Sequence, residues 1–492
     1  MRKLNANIFM ILAMVATAAV AGSCVSAPAE GPTVTLRLAE EKQTIDGFGI
    51  SQADYADDVF IFPDRALVLD QLFGEQGLKL NILRGEIFPH YESEPGQFDI
   101  AADEDISDDI LGKLDELAVN DLLRRGQFWL TTTVARKYPQ VLHMFTAWSP
   151  PAWMKEGGHS TEIYPASGGK LMHEHYQSYA DYMTRFYKAF QAHGVDIYAL
   201  SPSNEPGYAA PWNSCLWTPE EMGESIHDYL LPTFRANDVK AKAIFGENPS
   251  WSVTSKHFEN ISTELFIDRL LTAYPDLKPE EAIAGGHAYE LPKTLPLPLD
   301  QLQNPIVAFP KTIETGIHTW ITEMSNIDEL TLSMEDALHW GASWSDYLST
   351  AHVSAILWWL GAAPKSTNES LIALNQEEGT FVEAKRFDVM GNYSSYIPKG
   401  SICIDATSAE LPEGVKVSTF KNGNQHITVV VNPGEAFALN LQLDGAKAKS
   451  HLQAYTTTAD LRWEPTTVKK QHGIYRLQVP AQSVVTYTGN FR

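Results

Sequence analysis

Three cysteines in 492 residues are too few for a disulfide framework. Cys24 stands near the N-terminus, and Cys215 and Cys403 lie far apart with no CxxC and no paired His/Cys spacing, so no zinc site is expected. His173-Glu174-His175 lacks the i, i+4 separation of HExxH and reads as a solvated helix start. Basic residues are also scarce: 37 Lys and Arg stand against 61 Asp and Glu, a formal charge of −24 with no Lys/Arg run. Such a field repels nucleic acid and disfavours a basic membrane-surface mode. Internal repeats, low-complexity segments, and metal or nucleotide motifs are all missing, so neither a metal nor a cofactor is expected. The longest apolar run, Ile8 to Val20, is too short for a permanent spanning helix.

That run has a different meaning. Arg2 and Lys3 precede it, and Ala21-Gly22-Ser23 then Cys24 follow, the pattern of a bacterial export signal. A cysteine directly after small residues is a lipobox-type lipidation site, with Ala21 where Leu is commoner; cleavage near Ala27 is the alternative. The expectation is an exported chain, lipid-anchored through Cys24 at a bacterial cell surface or periplasm. It touches membrane through that anchor alone and is otherwise a monomer.

Hydrophobic residues make up 44% and charged residues 20%, so core material is ample. Residues 1–23 read as the signal peptide and 24–32 as a tether. Thr33-Val-Thr-Leu-Arg-Leu then alternates polar and apolar, the period of a half-buried strand. From residue 45 short apolar runs alternate with helical stretches, which predicts βα units. Inner strands are expected at 44–49, 78–84, 141–148, 195–201, 241–246, 282–288, 318–323 and 354–360, enough for a (β/α)8 barrel over 45–390. Tyr179, Tyr182, Phe186 and Phe190 recur on one helical face. Thr218-Pro219-Glu220-Glu221 is a capping box opening a helix that runs to Leu231. Past about residue 390 strand-like runs separated by Asn-Gly, Asn-Pro-Gly and Asp-Gly turns predict an antiparallel β-sandwich over 391–492, its sheet completed by the N-terminal strand 33–44. The fold class is therefore α/β: a TIM barrel with a second β-sandwich domain.

In a barrel the C-terminal strand ends face the active site. Ser203-Asn204-Glu205-Pro206 ends the fourth strand, where Pro206 turns Glu205 at the strand–loop junction. Trp320-Ile-Thr-Glu323 ends the seventh. Two carboxyls so placed suit glycoside hydrolysis, which needs one to protonate the leaving oxygen and another to attack or to activate water. Arg84 ends the second strand and would hold a neighbouring carboxylate ionised. Trp148 and Trp153 present tryptophans after the third strand. His287 and Tyr289 close the sixth, and Trp358 and Trp359 close the eighth, where they would floor a sugar subsite.

These pieces together resemble glycoside hydrolase family 30. The resemblance is carried by Asp46-Gly-Phe-Gly, Trp148-Ser-Pro-Pro-Ala-Trp-Met-Lys, Ser203-Asn-Glu-Pro, Trp212-Asn-Ser-Cys-Leu-Trp-Thr-Pro-Glu-Glu, Trp320-Ile-Thr-Glu-Met-Ser and Met390-Gly-Asn-Tyr-Ser-Ser-Tyr-Ile, in order from about 45 to 400. It implies a retaining enzyme with Glu205 as acid/base, Glu323 as nucleophile and Asn204 bonding the sugar 2-hydroxyl. Arg84, Trp148, His287, Tyr289 and Trp358 would line the subsite beside the scissile bond. The chain departs from the family pattern at Ile50-Ser-Gln-Ala-Asp54, where further small residues are usual, and in the loop 157–175 with Glu162, Tyr164 and His173.

The activity expected first is endo-hydrolysis of xylan. An endo-β-1,6-glucanase or galactanase and a glucosylceramidase-like exo-β-glycosidase are the alternatives. A cell-surface glycan-binding lipoprotein without catalysis is the competing class.

Overall fold

The computed structural model describes residues 31–100, 117–161, 163–290, 304–365, 367–408 and 410–492; the leader and Cys24 lie outside the described residues. Strand β1 spans Thr33–Thr44. It is followed by β2 (Gly47–Ser51), β3 (Ile82–Glu86), β4 (Leu142–Thr146), β5 (Ile197–Ser201), β6 (Lys242–Gly246), β7 (Ala282–His287), β8 (Thr319–Glu323) and β9 (Val353–Trp358). Strands β2 to β9 pair in chain order, each parallel to the next, and β9 closes on β2. The ring is the expected eight-stranded barrel.

Side chains on a strand alternate faces, and this sorts the barrel residues. Ile82, Met144, Ala199, Ile244, Ile283, Trp320, Ala355 and Leu357 form a small cluster of their own inside the ring. Their immediate neighbours Leu83, Phe145, Leu200, Phe245, Ala284, Ile321, Ile356 and Trp358 join the larger core between strands and helices. Both faces of every strand are buried, which is why several strands read as unbroken apolar runs. Burying each such aliphatic or phenyl side chain stabilises by about 1.5–3 kcal/mol.

The helices follow their sequence signals. Tyr179, Tyr182, Phe186 and Phe190 are buried on one face of the Tyr176–Ala192 helix. At Thr218 the capping box is complete: its hydroxyl accepts from the Glu221 amide at 3.2 Å, and the Glu221 carboxylate accepts from the Thr218 amide at 2.8 Å. That helix is interrupted, however. Pro219–Glu224 is α-helical, Ser225–Leu230 is a π-helical turn, and Leu231–Ala236 resumes the α-helix. Pro232 has no amide hydrogen to donate, and a widened turn just before it absorbs the lost bond.

After β9 a three-stranded sheet, β10 (Leu360–Pro364), β11 (Ser370–Asn375) and β12 (Thr380–Glu383), covers one side of the barrel mouth before the Lys385–Ser394 helix. The second domain comprises β13 (Ile402–Ser408), β14 (Lys416–Asn422), β15 (Gln425–Asn432), β16 (Phe437–Asp444), β17 (Ala448–Thr457), β18 (Glu464–Gln471), β19 (Ile474–Val479) and β20 (Ser483–Phe491). With β1 these close into a nine-stranded ring, antiparallel except where β1 lies parallel to β16. Phe420, Ile427, Val429, Val431 and Val484 share one buried core with the barrel helices, so the two domains are fused rather than tethered.

Candidate active site

The guanidinium of Arg84 organises the mouth of the barrel. It lies two residues beyond the interior Ile82 on β3, so it points into the ring, fully buried. Nη1 donates to Glu323 Oε1 at 2.6 Å and to Ser51 Oγ at 3.2 Å. Nη2 donates to Asn204 Oδ1 at 2.8 Å and to Glu247 Oε1 at 3.2 Å, and Nε to Thr146 Oγ1 at 3.1 Å. The Trp148 ring packs on its face, 4.6 Å from the guanidinium carbon. Five strand ends and the loop after β4 thus converge on one cation.

The two glutamates singled out in the sequence meet here. His287 Nδ1 is 3.3 Å from Glu205 Oε1 and 3.3 Å from Glu323 Oε2. Carboxylate oxygens of the two glutamates and a ring nitrogen of His287 all lie within 4.8 Å of one another. Burial and the Arg84 charge push the His287 ring well below its usual pKa, which favours its neutral form, and its Nδ1 hydrogen-bonds Glu205. The Tyr289 hydroxyl donates to Glu323 Oε2.

The environments of the two carboxyls differ. Burial raises the Glu205 pKa well above the ordinary value, and the Glu323 and Glu247 charges add to the rise against the lowering pull of Arg84. Burial also raises Glu323, but Arg84 and the Tyr289 hydrogen bond both pull it back. Glu323 thus has two direct hydrogen-bond donors opposing its rise, whereas Glu205 has two like charges adding to its own.

Local backbone geometry aims them. Glu205 has φ 47° and Glu247 φ 52°, left-handed values that a non-glycine residue adopts only under constraint. The constraint is mutual: the Glu205 amide donates to the Glu247 carbonyl at 3.0 Å, and the Glu247 amide to the Gly285 carbonyl at 2.8 Å. Gly285 is needed for this approach, since a Cβ there would sit 2.8 Å from Glu247 Cγ.

Of the remaining sequence-predicted residues, Asn204, Trp148 and Tyr289 join the cluster, but Trp358 does not. Trp358 is fully buried behind the wall, edge-on to Trp340 at 4.7 Å and Trp344 at 6.0 Å, its indole nitrogen donating to the Glu369 carbonyl at 2.7 Å. Parity decides this: Leu357 faces the barrel interior, so Trp358 faces the helices. The half-buried Trp359 lies 6.1 Å from Trp148 and 6.3 Å from Tyr55, at the mouth.

Sequence reasoning missed two acids. Glu247 follows the end of β6 and was within reach of the same strand-end rule that found Glu205. Glu86 follows Arg84 by two residues on β3 and so shares its face; it is buried, and none of the described residues hydrogen-bonds its carboxyl. Burial and the nearby Asp54 charge raise the Glu86 pKa well above normal. Asp54 itself is raised to about 6, chiefly by burial. Among the described residues, Glu205, His287 and Glu323 are also the one set that could hold a metal ion, and Glu323 already takes hydrogen bonds from Arg84 and Tyr289. Cys215 and Cys403 are buried free thiols, pushed up to about 11 and about 12 by burial, and inert.

An eight-stranded parallel barrel with two buried carboxyls brought together at its C-terminal mouth has the architecture of a glycosidase-type (β/α)8 enzyme. Residues 45–245 match the glycosyl hydrolase family 30 TIM-barrel domain. A glucuronoxylanase, XynC of Bacillus subtilis (strain 168), is 25% identical over 351 residues, covering 70% of this chain and 72% of its own. The lysosomal acid glucosylceramidase of Mus musculus is 21% identical over 434 residues, covering 82% and 77%. The catalytic domain of the GH30 xylanase C from Talaromyces cellulolyticus superposes with a TM-score of 0.72 at 21% identity, covering 93% of this chain and all of that one. Residues 45–245 are thus similar to the glycoside hydrolase family 30 barrel, and the chain is a glycoside hydrolase.

Proposed function

We propose that this hydrolase cleaves internal β-glycosidic bonds of a neutral polysaccharide, xylan first, by double displacement. Glu323 attacks the anomeric carbon as Glu205 protonates the leaving oxygen; Glu205, now ionised, then takes a proton from the water that releases the glycosyl-enzyme. The observation that carries this reading is the short span between Glu205 and Glu323, bridged by His287. Retaining enzymes hold their carboxyls about 5–5.5 Å apart, whereas inverting ones leave about 6.5–9.5 Å for an intervening water. Asn204, oriented by Arg84, is positioned to bond the 2-hydroxyl of the attacked sugar, and Trp148 and Trp359 supply apolar walls.

NMR of the first-formed anomer tests retention, and mass spectrometry of products from xylan, β-1,6-glucan and β-1,6-galactan panels tests the rest. An oligomer ladder from xylan supports the proposal; a monosaccharide alone, or inversion, sinks it. Tight binding with no product would favour the glycan-binding lipoprotein. Export and lipid attachment at Cys24 are part of the same proposal, and labelled palmitate incorporation that survives Cys24→Ala would refute them.

A further inference from the structure

Arg84 pairs with two carboxylates, and the double displacement uses only one of them, Glu323. The other, Glu247, follows β6 at the barrel mouth with its side chain wholly out of solvent. Burying a second anion beside the nucleophile costs desolvation and like-charge repulsion, so its presence needs a reason.

Glu247 grips one edge of the guanidinium. Nη2 donates to Glu247 Oε1 at 3.2 Å. Nε donates to Thr146 Oγ1 at 3.1 Å, and that hydroxyl donates in turn to Glu247 Oε2 at 3.1 Å. A threonine hydroxyl thus completes a two-point contact of the kind that fixes arginine on a carboxylate. Glu323 holds the other side through Nη1 at 2.6 Å. The backbone links Glu247 to the acid/base residue as well, its carbonyl accepting from the Glu205 amide at 3.0 Å.

The two chemical steps move charge around this cation. In the first, Glu323 bonds to the anomeric carbon, the glycosidic bond breaks, and its oxygen leaves with the proton of Glu205. Glu323 is then a neutral ester and Glu205 an anion. In the second, water attacks the anomeric carbon and gives its proton to Glu205, while the ester electrons return to Glu323. Between the steps Arg84 lacks a charged partner at Nη1, and a buried cation with no other partner would be drawn to the new anion. A carboxylate paired with arginine is a weaker base, because the cation favours its charged form.

Resting on the two-glutamate mechanism above, we propose that Glu247 is a positioning residue for the second step. It keeps Arg84 paired and in place while Glu323 is an ester, which leaves Glu205 free to take the proton from water.

The test separates the steps with a dinitrophenyl β-xylobioside, or the cellobioside if the enzyme prefers glucose. Its leaving group needs no proton, so kcat reports the second step and kcat/KM the first. Glu247→Gln keeps the shape without the charge. Its kcat is expected to fall roughly tenfold or more, part of the ~10²–10⁴-fold that a positioned base supplies, with kcat/KM falling far less. Glycosyl-enzyme should accumulate in intact-protein mass spectra, and azide, which attacks without a base, should restore turnover. Thr146→Val breaks only the hydroxyl bridge and should show the same split to a smaller degree; it decides the question if Glu247→Gln does not fold. Equal losses in kcat and kcat/KM, or no response to azide, would overturn the role, since a merely structural residue moves both parameters together. An unsubstituted enzyme that a 2-fluoro glycoside fails to label at Glu323 would instead sink the double displacement itself.

Discussion

Arg84 and Glu323, separated by most of the barrel in sequence, meet at 2.6 Å with both side chains out of solvent. The cation favours the ionised carboxylate, and the carboxylate in turn keeps a buried guanidinium paired. Replacing Arg84 by Met removes the strongest lowering influence on Glu323, so its protonated form persists to higher pH. Since an attacking carboxylate must be ionised, the acid limb of the kcat/KM profile is expected to move to higher pH. Loss of one partner of a buried pair should also cost about 3–5 kcal/mol of stability. A pH–rate profile and a thermal melt on the same variant check both; an unshifted acid limb would contradict the role given to Arg84.

The two glutamates are separable by chemical rescue. Glu205→Ala should lose roughly 10²–10⁴-fold on an oligosaccharide, the usual worth of a positioned proton donor, yet keep the first step on a dinitrophenyl glycoside, whose leaving group needs no proton. Added azide should then yield a β-glycosyl azide from Glu205→Ala and an α-glycosyl azide from Glu323→Ala. The reverse pattern, read by NMR, would exchange the two assignments. In the unsubstituted enzyme activity should fall as pH rises through the elevated pKa of Glu205, because the acid is then already ionised.

Tyr289→Phe removes one hydrogen bond from Glu323 Oε2 and nothing from the barrel wall. A hydrogen bond to a charged group is worth about 1.5–3 kcal/mol, so kcat should drop roughly 10–100-fold. The acid limb should again rise, by less than with Arg84→Met. Steady-state kinetics across pH, with a circular dichroism spectrum to show that folding is intact, would reveal a merely structural tyrosine by an unchanged profile.

Trp358 and Trp359 are adjacent and are expected to fail differently. Trp358→Ala opens a cavity against Trp340 and Trp344 and should cost about 3–5 kcal/mol of stability. Trp359→Ala removes a partly exposed ring near Trp148 and should raise KM with the melting temperature little changed. If the two profiles were exchanged, the face assignment would be wrong.

Much of this was legible in the chain. The barrel strands were readable because burial on both faces leaves unbroken apolar runs, and the helix at Thr218 because its cap is a local bond. Glu205 and Glu323 were readable because a polar group ending such a run is conspicuous. Trp358 was misplaced because its neighbour carries the same side chain: only the phase of β9 against the interior, visible in Ala355 and Leu357, tells one from the other. Glu86 and Glu247 passed unnoticed because their importance lies in what surrounds them, Asp54 in one case and Arg84 in the other.

Sequence by itself determined the order of strands, the caps and the placing of Glu205 and Glu323 at strand ends, because periodicity, capping and strand-end polarity are short-range properties. Tertiary structure alone decided which charges and donors surround each carboxyl, that Trp358 is buried while Trp359 is half-exposed, and which side chains Arg84 draws together. Each of those depends on desolvation and on charges brought together across the barrel from distant positions, and no local pattern encodes them.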